Sequence, residues 1–134
     1  MSGYAATPLA RKLGIKAGGV VHAVAAPAGY RAWLAPLPDG VRFTTAASAA
    51  TDLAHVFATR RARLAPTLAT LRRRLRADAA VWVSWPKRAA RLPTDITEDV
   101  VREVALPLGF VDIKVCAVTE VWSGLKLVVR RELR

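Results

Sequence analysis

The sequence predicts an α/β fold: a mostly parallel sheet in one domain spanning residues 1–134, ending in an antiparallel hairpin strand. Three observations carry that expectation. Leu53–Thr59 and Ala79–Trp85 are short, nearly unbroken apolar runs bounded by turn signals, the pattern of strands buried on both faces in a parallel sheet. Between them, Leu64, Leu68, Leu71 and Leu75 recur at helical spacing and form one narrow stripe. Near the end, Thr119–Gly124 separates two strand-like segments; it suits an antiparallel hairpin and is too short for a crossover helix.

The remaining elements follow in order. Thr7 can cap a short helix with Pro8 at its first position, and Gly14 can close it. Val20–Ala26 reads as a strand, Pro27–Gly29 as a turn, and Tyr30–Leu34 as a short helix. Pro36–Gly40 is turn chemistry, and Val41–Thr45 suits a short strand because it is rich in β-branched and aromatic residues. Ala46–Ala50 reads as a loop. Pro66 fits only near a helix start, so the regular part of the leucine-striped helix is expected to begin about there. Asp95 with Glu98 has the spacing of a reciprocal cap. Val100, Val101, Val104 and Leu108 then mark an amphipathic helix that Pro107 and Gly109 end. Val111–Val118 and Leu125–Arg131 are the hairpin strands.

Composition bounds the function classes. The chain has 134 residues, enough for one core. Its formal net charge of +11 permits nucleic acid, nucleotides or other anions as partners without selecting among them. The single cysteine, Cys116, forms no internal disulfide and implies no oxidising compartment. No apolar stretch approaches a membrane span. Arg11 and Lys12 precede Val20–Ala28 in the manner of a signal peptide, but Lys16, Gly18, Gly19 and His22 interrupt the apolar part. The expectation is a bacterial-type cytoplasmic protein with no membrane partner.

The order strand, helix, strand, helix and terminal antiparallel strand resembles the end of the sheet in S-adenosylmethionine-dependent methyltransferases. Leu13–Val21, Asp52–Phe57 and Gly109–Lys114 resemble the approaches to their first strand, fourth strand and hairpin. Over nearly its full length the chain also resembles a small bacterial family, domain-of-unknown-function family 3052. The carrying residues are Gly3-Tyr4, Thr7–Ile15, Ala26-Pro27, Gly29-Tyr30 and Pro36–Gly40, then Val83–Lys87, Pro93–Asp95, Thr97–Glu103, Val115–Val118 and Trp122–Lys126. The resemblance implies a single Rossmann-like, methyltransferase-type domain. A methyltransferase cofactor site would need a glycine-rich turn after the first strand and an acid after the second. Here the turn is Ala25-Ala-Pro-Ala-Gly-Tyr30, with one glycine, and Phe43–Ser48 has no acid. No cofactor is therefore expected.

In open α/β sheets, ligands bind outside the carboxyl ends of the strands. That rule gathers Pro27, Gly29, Tyr30, Thr59, Arg60, Ser84, Trp85, Lys87, Arg88, Glu120, Trp122 and Ser123 into one candidate crevice. Aromatic walls, hydroxyls and cations would suit an anionic small molecule. Against this, Trp85 and Trp122 could be packing residues and the cations solvated. The segment from Arg60 to Arg76 carries seven cations and no acid, which could follow a phosphate backbone or face water. His22 and His55, on strands expected to be neighbours, read as satisfied histidines and not as metal ligands, and Cys116 as an inert thiol.

Three functions remain: a non-catalytic binding or interaction module, a divergent methyltransferase, and a non-specific nucleic-acid binder active at low salt. The first leads, because fold does not restore a lost site.

Overall fold

The computed structural model describes residues 7–134, so Gly3 and Tyr4 lie outside the described residues. Six strands form one sheet: β1 Val20–Val24, β2 Arg42–Thr44, β3 Leu53–Phe57, β4 Ala80–Pro86, β5 Phe110–Ala117 and β6 Trp122–Val129. Among the described residues, four α-helices accompany them: α1 Leu9–Leu13, α2 Tyr30–Trp33, α3 Arg61–Arg74 and α4 Glu98–Ala105. The strand order is β2-β1-β3-β4-β6-β5. The first four strands in that order run parallel, and β6 is antiparallel to both of its neighbours. The α/β class and the hairpin expected from the sequence are both present.

Period-two alternation sorts the core into two layers. Ala54, Val56, Val81, Val83, Trp85, Leu125 and Leu127 pack beneath α3 and α4, against Leu64, Leu68, Leu71, Val101 and Val104. Leu53, Phe57 and Trp82 point the other way, against Ala10 and Leu13 of α1 and Tyr30 of α2. Trp82 is fully buried and donates its indole N–H to the Leu13 carbonyl at 2.9 Å, tying α1 to β4. Gly124 of β6 lies opposite Ser84. A Cβ there would meet Trp82 at 3.2 Å and Ser84 Oγ at 3.3 Å, so the glycine lets β6 approach β4.

Several local expectations change. α1 starts at Leu9, and Pro8, not Thr7, is its N-cap: the Pro8 carbonyl accepts from Arg11 and Lys12, with no side-chain cap. Gly14 closes it in the left-handed conformation, as expected. β1 stops at Val24 because Ala25 has a φ of +56°. α3 begins at Arg61, five residues before Pro66. Ala62 and Pro66 are both exposed, so the helix carries the missing bond on its solvent side. The reciprocal cap read at Asp95 and Glu98 is replaced by two separate caps. Thr97 Oγ1 accepts from the Val100 N–H at the head of α4. Asp95 instead accepts from the Arg61 N–H at 2.7 Å and caps α3 from a distance in sequence. β6 begins at Trp122 because Pro86, Trp85 and Ser84 pair with Trp122, Ser123 and Gly124.

The crossover from β2 to β3 passes through residues 45–52 without a helix. Among the described residues, no helix is long and apolar enough to cross a membrane.

Candidate functional site

The carboxyl ends of β1, β3 and β4 and the start of β6 share one edge of the sheet. Among the described residues, two non-glycine residues have left-handed backbone: Ala25, directly after β1, and Arg91, which closes the short turn Arg88–Ala90 after β4. Each such conformation costs about 1 kcal/mol or more, and strain of this kind concentrates at functional loops.

The sheet divides the residues that the sequence gathers into one crevice. Tyr30, Ser84 and Trp122 belong to the α1–α2 face. Trp85 belongs to the α3–α4 face, and Lys87 and Arg88 open onto a cavity beside it. Thr59 and Arg60 sit at the head of α3, where they line a second cavity with Ala25. Glu120 is exposed in the hairpin turn and lines neither.

On the α1–α2 face, Tyr30, His55 and Ser84 form a buried chain of hydrogen bonds. The Tyr30 hydroxyl lies 2.8 Å from His55 Nδ1, and His55 Nε2 lies 2.7 Å from Ser84 Oγ. A neutral imidazole offers one donor and one acceptor, so a phenol donating to Nδ1 leaves the Nε2–H to donate to Ser84. Burial pushes the His55 pKa down to about 3 and raises that of Tyr30, so both groups are neutral at pH 7. Phe57 stacks on His55 at 4.3 Å, and Trp122 meets Phe57 edge-on at 5.1 Å. Here the aromatics are packing, and the polar atoms satisfy one another. His55 is the satisfied core histidine that the sequence suggests, with both ring nitrogens held by Tyr30 and Ser84.

The cavity on the other face has a volume of about 520 Å³. Trp85 and Ile96 give it an apolar wall, while Lys87, Arg88, Thr94, Thr97 and Ser123 bring polar groups. Its one acid, Glu98, is ion-paired with Arg102. Among the described residues, Lys87 and Arg88 have no carboxylate partner, so the cavity is net positive. Thr94, Thr97 and Glu98 line the cavity without belonging to the crevice expected from the sequence. The run Pro93-Thr-Asp-Ile-Thr97 was the available signal, since capping residues cluster where a loop feeds a helix.

The turn after β1 and the end of β2 enclose a third cavity, of about 390 Å³, lined by Pro27, Gly29, Tyr30, Arg31, Phe43 and Thr44 among others and by no acid. The Arg31 guanidinium carbon lies 4.2 Å above the Phe43 ring centre, a cation–π contact that α2 and β2 hold in place.

The remaining candidates lie apart from these cavities or make local contacts. His22 Nδ1 lies 3.0 Å from the Thr44 carbonyl. Among the described residues no three His, Cys, Asp or Glu side chains gather as a metal site. The Cys116 thiol is half-buried, and burial raises its pKa against the opposing charges of Lys12 and Lys114.

No protein-family model matches the chain, and no curated protein matches it in sequence. Solved structures do match in shape. A SAM-dependent methyltransferase from Aquifex aeolicus aligns with a TM-score of 0.71 at 15% identity, over 90% of this chain and 87% of that one. Magnesium protoporphyrin IX methyltransferase from Synechocystis PCC 6803, solved with bound SAM, aligns at 0.62 and 11% identity, over 91% and 74%. The fibrillarin pre-rRNA processing protein of Methanococcus jannaschii aligns at 0.61 and 10% identity, over 95% and 70%. At these identities the likeness shows the fold: the sheet is Rossmann-like and of methyltransferase type.

Proposed function

We propose that this chain is a non-catalytic binding module on a methyltransferase-like fold, and that it takes a small anion in the cavity beside Trp85, Lys87 and Arg88. The observation that carries the non-catalytic part is the Arg31–Phe43 contact. It occupies the region where the resemblance calls for glycines and a ribose-binding acid. S-adenosylmethionine carries a sulfonium cation, which the Arg31 guanidinium repels and which finds no acid in that lining. The anion assignment is supported by two unpaired cations beside an apolar wall, with hydroxyls at hand. Membership of domain-of-unknown-function family 3052, proposed on the residues quoted above, agrees with this reading.

A divergent methyltransferase is the second reading, favoured by the fold of the aligned structures. Calorimetry separates the two. Titration of S-adenosylmethionine should give no micromolar site, and native mass spectrometry of freshly purified protein should find a bound anion if one co-purifies. A dissociation constant for S-adenosylmethionine in the micromolar range or tighter makes the enzyme reading the leading one.

A further inference from the structure

We propose that the open flank of α3 is a docking groove for an acidic amphipathic helix of a partner protein. Every other crossover carries a helix, but the connection from β2 to β3, residues 45–52, has none. On the α3 side, β1 and β2 are therefore left without a helical cover, with His22 and Val24 pointing into the gap.

Two cavities line that gap, one of about 420 Å³ beside the first half of α3 and one of about 310 Å³ beside the second. They share Val24 and Thr67, so they form one continuous groove. The wall is the flank of α3 bearing Arg60, Arg63, Thr67, Thr70 and Arg74, whose spacing of three and four residues puts them on one side of the helix. Among the described residues, none of these three arginines has an ion pair or a side-chain hydrogen bond, and neither cavity is lined by an acid. The floor is small and apolar, with Val24, Ala25, Ala46 and Ala47.

The dimensions suit a helix. The groove runs between that flank of α3 and the end of β1 with Thr45, Ala46 and Ala47 beside it. From Arg60 to Arg74 is about 21 Å at 1.5 Å per residue, the length of about 14 helical residues. The opposite flank of α3 already shows the contact: there α4 packs alongside and Glu103 meets Arg61 at 2.6 Å. The open flank has the arginines and lacks the acidic helix. A single-stranded nucleic acid fits less well, because the two rings at the groove are already engaged: His22 Nδ1 lies 3.0 Å from the Thr44 carbonyl, and Phe57 is buried and stacked on His55.

The test uses backbone amide NMR on the full chain. The probe is a synthetic helical peptide of about 14 residues, the length set by the groove, with leucines on one face and glutamates on the other. Controls are a scrambled sequence of the same composition, a version with lysine for glutamate, and a single-stranded oligothymidylate. Binding should move the amides of Val24, Ala46, Thr67 and Thr70, and the controls should bind more weakly. Arg63→Glu with Arg74→Glu should weaken the peptide at least about tenfold. Ala46→Trp, which fills the floor and keeps every charge, should also weaken it. No binding, equal binding of the scrambled peptide, or shifts confined to another surface would overturn the proposal. Tighter binding of the oligothymidylate at the same amides would replace the helix with nucleic acid.

Discussion

His55 Nε2 lies 2.7 Å from Ser84 Oγ, and neither side chain is reached by solvent. Burial makes His55 a liability in acid. Its pKa falls from 6.5 to about 3 on burial, so the folded protein keeps it neutral while the unfolded chain protonates it below pH 6.5. A group whose folded pKa is depressed costs stability as pH falls below its unfolded value. The loss should approach about 1.4 kcal/mol per pH unit between pH 6 and pH 4.5. Asp52 and Asp112 also have lowered pKa values, Asp52 through the Val20 N–H and Arg76, Asp112 through Arg102. Their stabilisation disappears only lower, as pH falls through and below the carboxylate range near 3.8. Urea unfolding across pH 7 to 4.5 isolates the histidine. His55→Gln should remove that slope, and an unchanged slope would contradict the burial argument.

Asp95 should matter through α3 and not through α4. Its carboxylate accepts from the Arg61 N–H at 2.7 Å, while Thr97 caps α4. Asp95→Ala should cost about 1 kcal/mol, within the usual range for a lost cap, and Asp95→Asn should cost less because an amide oxygen can still accept. Thr97→Ala should cost a similar amount, and the two losses should add, since they act on different helices. Denaturation of the single and double variants checks both points.

The strands and the leucine stripe of α3 are legible because burial of a whole segment leaves its mark on every residue in it. The division of the crevice is not. Ser84 and Trp85 are adjacent, yet one points to His55 and the other to Ile96 and the α3–α4 core. Which takes which face depends on strand register, where a one-residue slip reverses every side chain. The Arg31–Phe43 contact likewise needs β1 and β2 to pair before it exists. Asp95 misleads for the same reason. Its spacing to Glu98 mimics a local cap, and only the packing of the loop against Thr59 brings it to the head of α3.

The anion cavity yields a prediction at Lys87. Its backbone N–H donates to the Val121 carbonyl at 2.7 Å, which fixes the loop whatever the side chain does. Lys87→Ala should therefore leave the fold intact and remove one charged hydrogen bond to a bound anion, about 1.5–3 kcal/mol, or roughly 10- to 150-fold in affinity. The probe is whichever anion native mass spectrometry finds, with inorganic phosphate as the minimal test. An anion that binds with unchanged affinity to the variant lies elsewhere.

Nucleic acid should bind weakly and without sequence preference. Of the seven cations from Arg60 to Arg76, Arg61 is paired with Glu103, and Arg76 with Asp52 and Asp78. Arg72 turns its Nε into a buried position beside Gly109. Arg73 lies off the flank that carries Arg60, Arg63 and Arg74, so the cations neither fan evenly nor form a long stripe. About three can reach phosphates together, and each contributes about 0.9 to the slope of log affinity against log salt on duplex DNA. The expected slope is about −3, with most affinity lost at physiological salt. Titrations of duplex DNA at several salt concentrations measure it, and neutralising Arg60, Arg63 and Arg74 together should flatten it. A slope of about −6 or steeper would require a phosphate-binding surface larger than this flank provides and would make nucleic acid the principal partner.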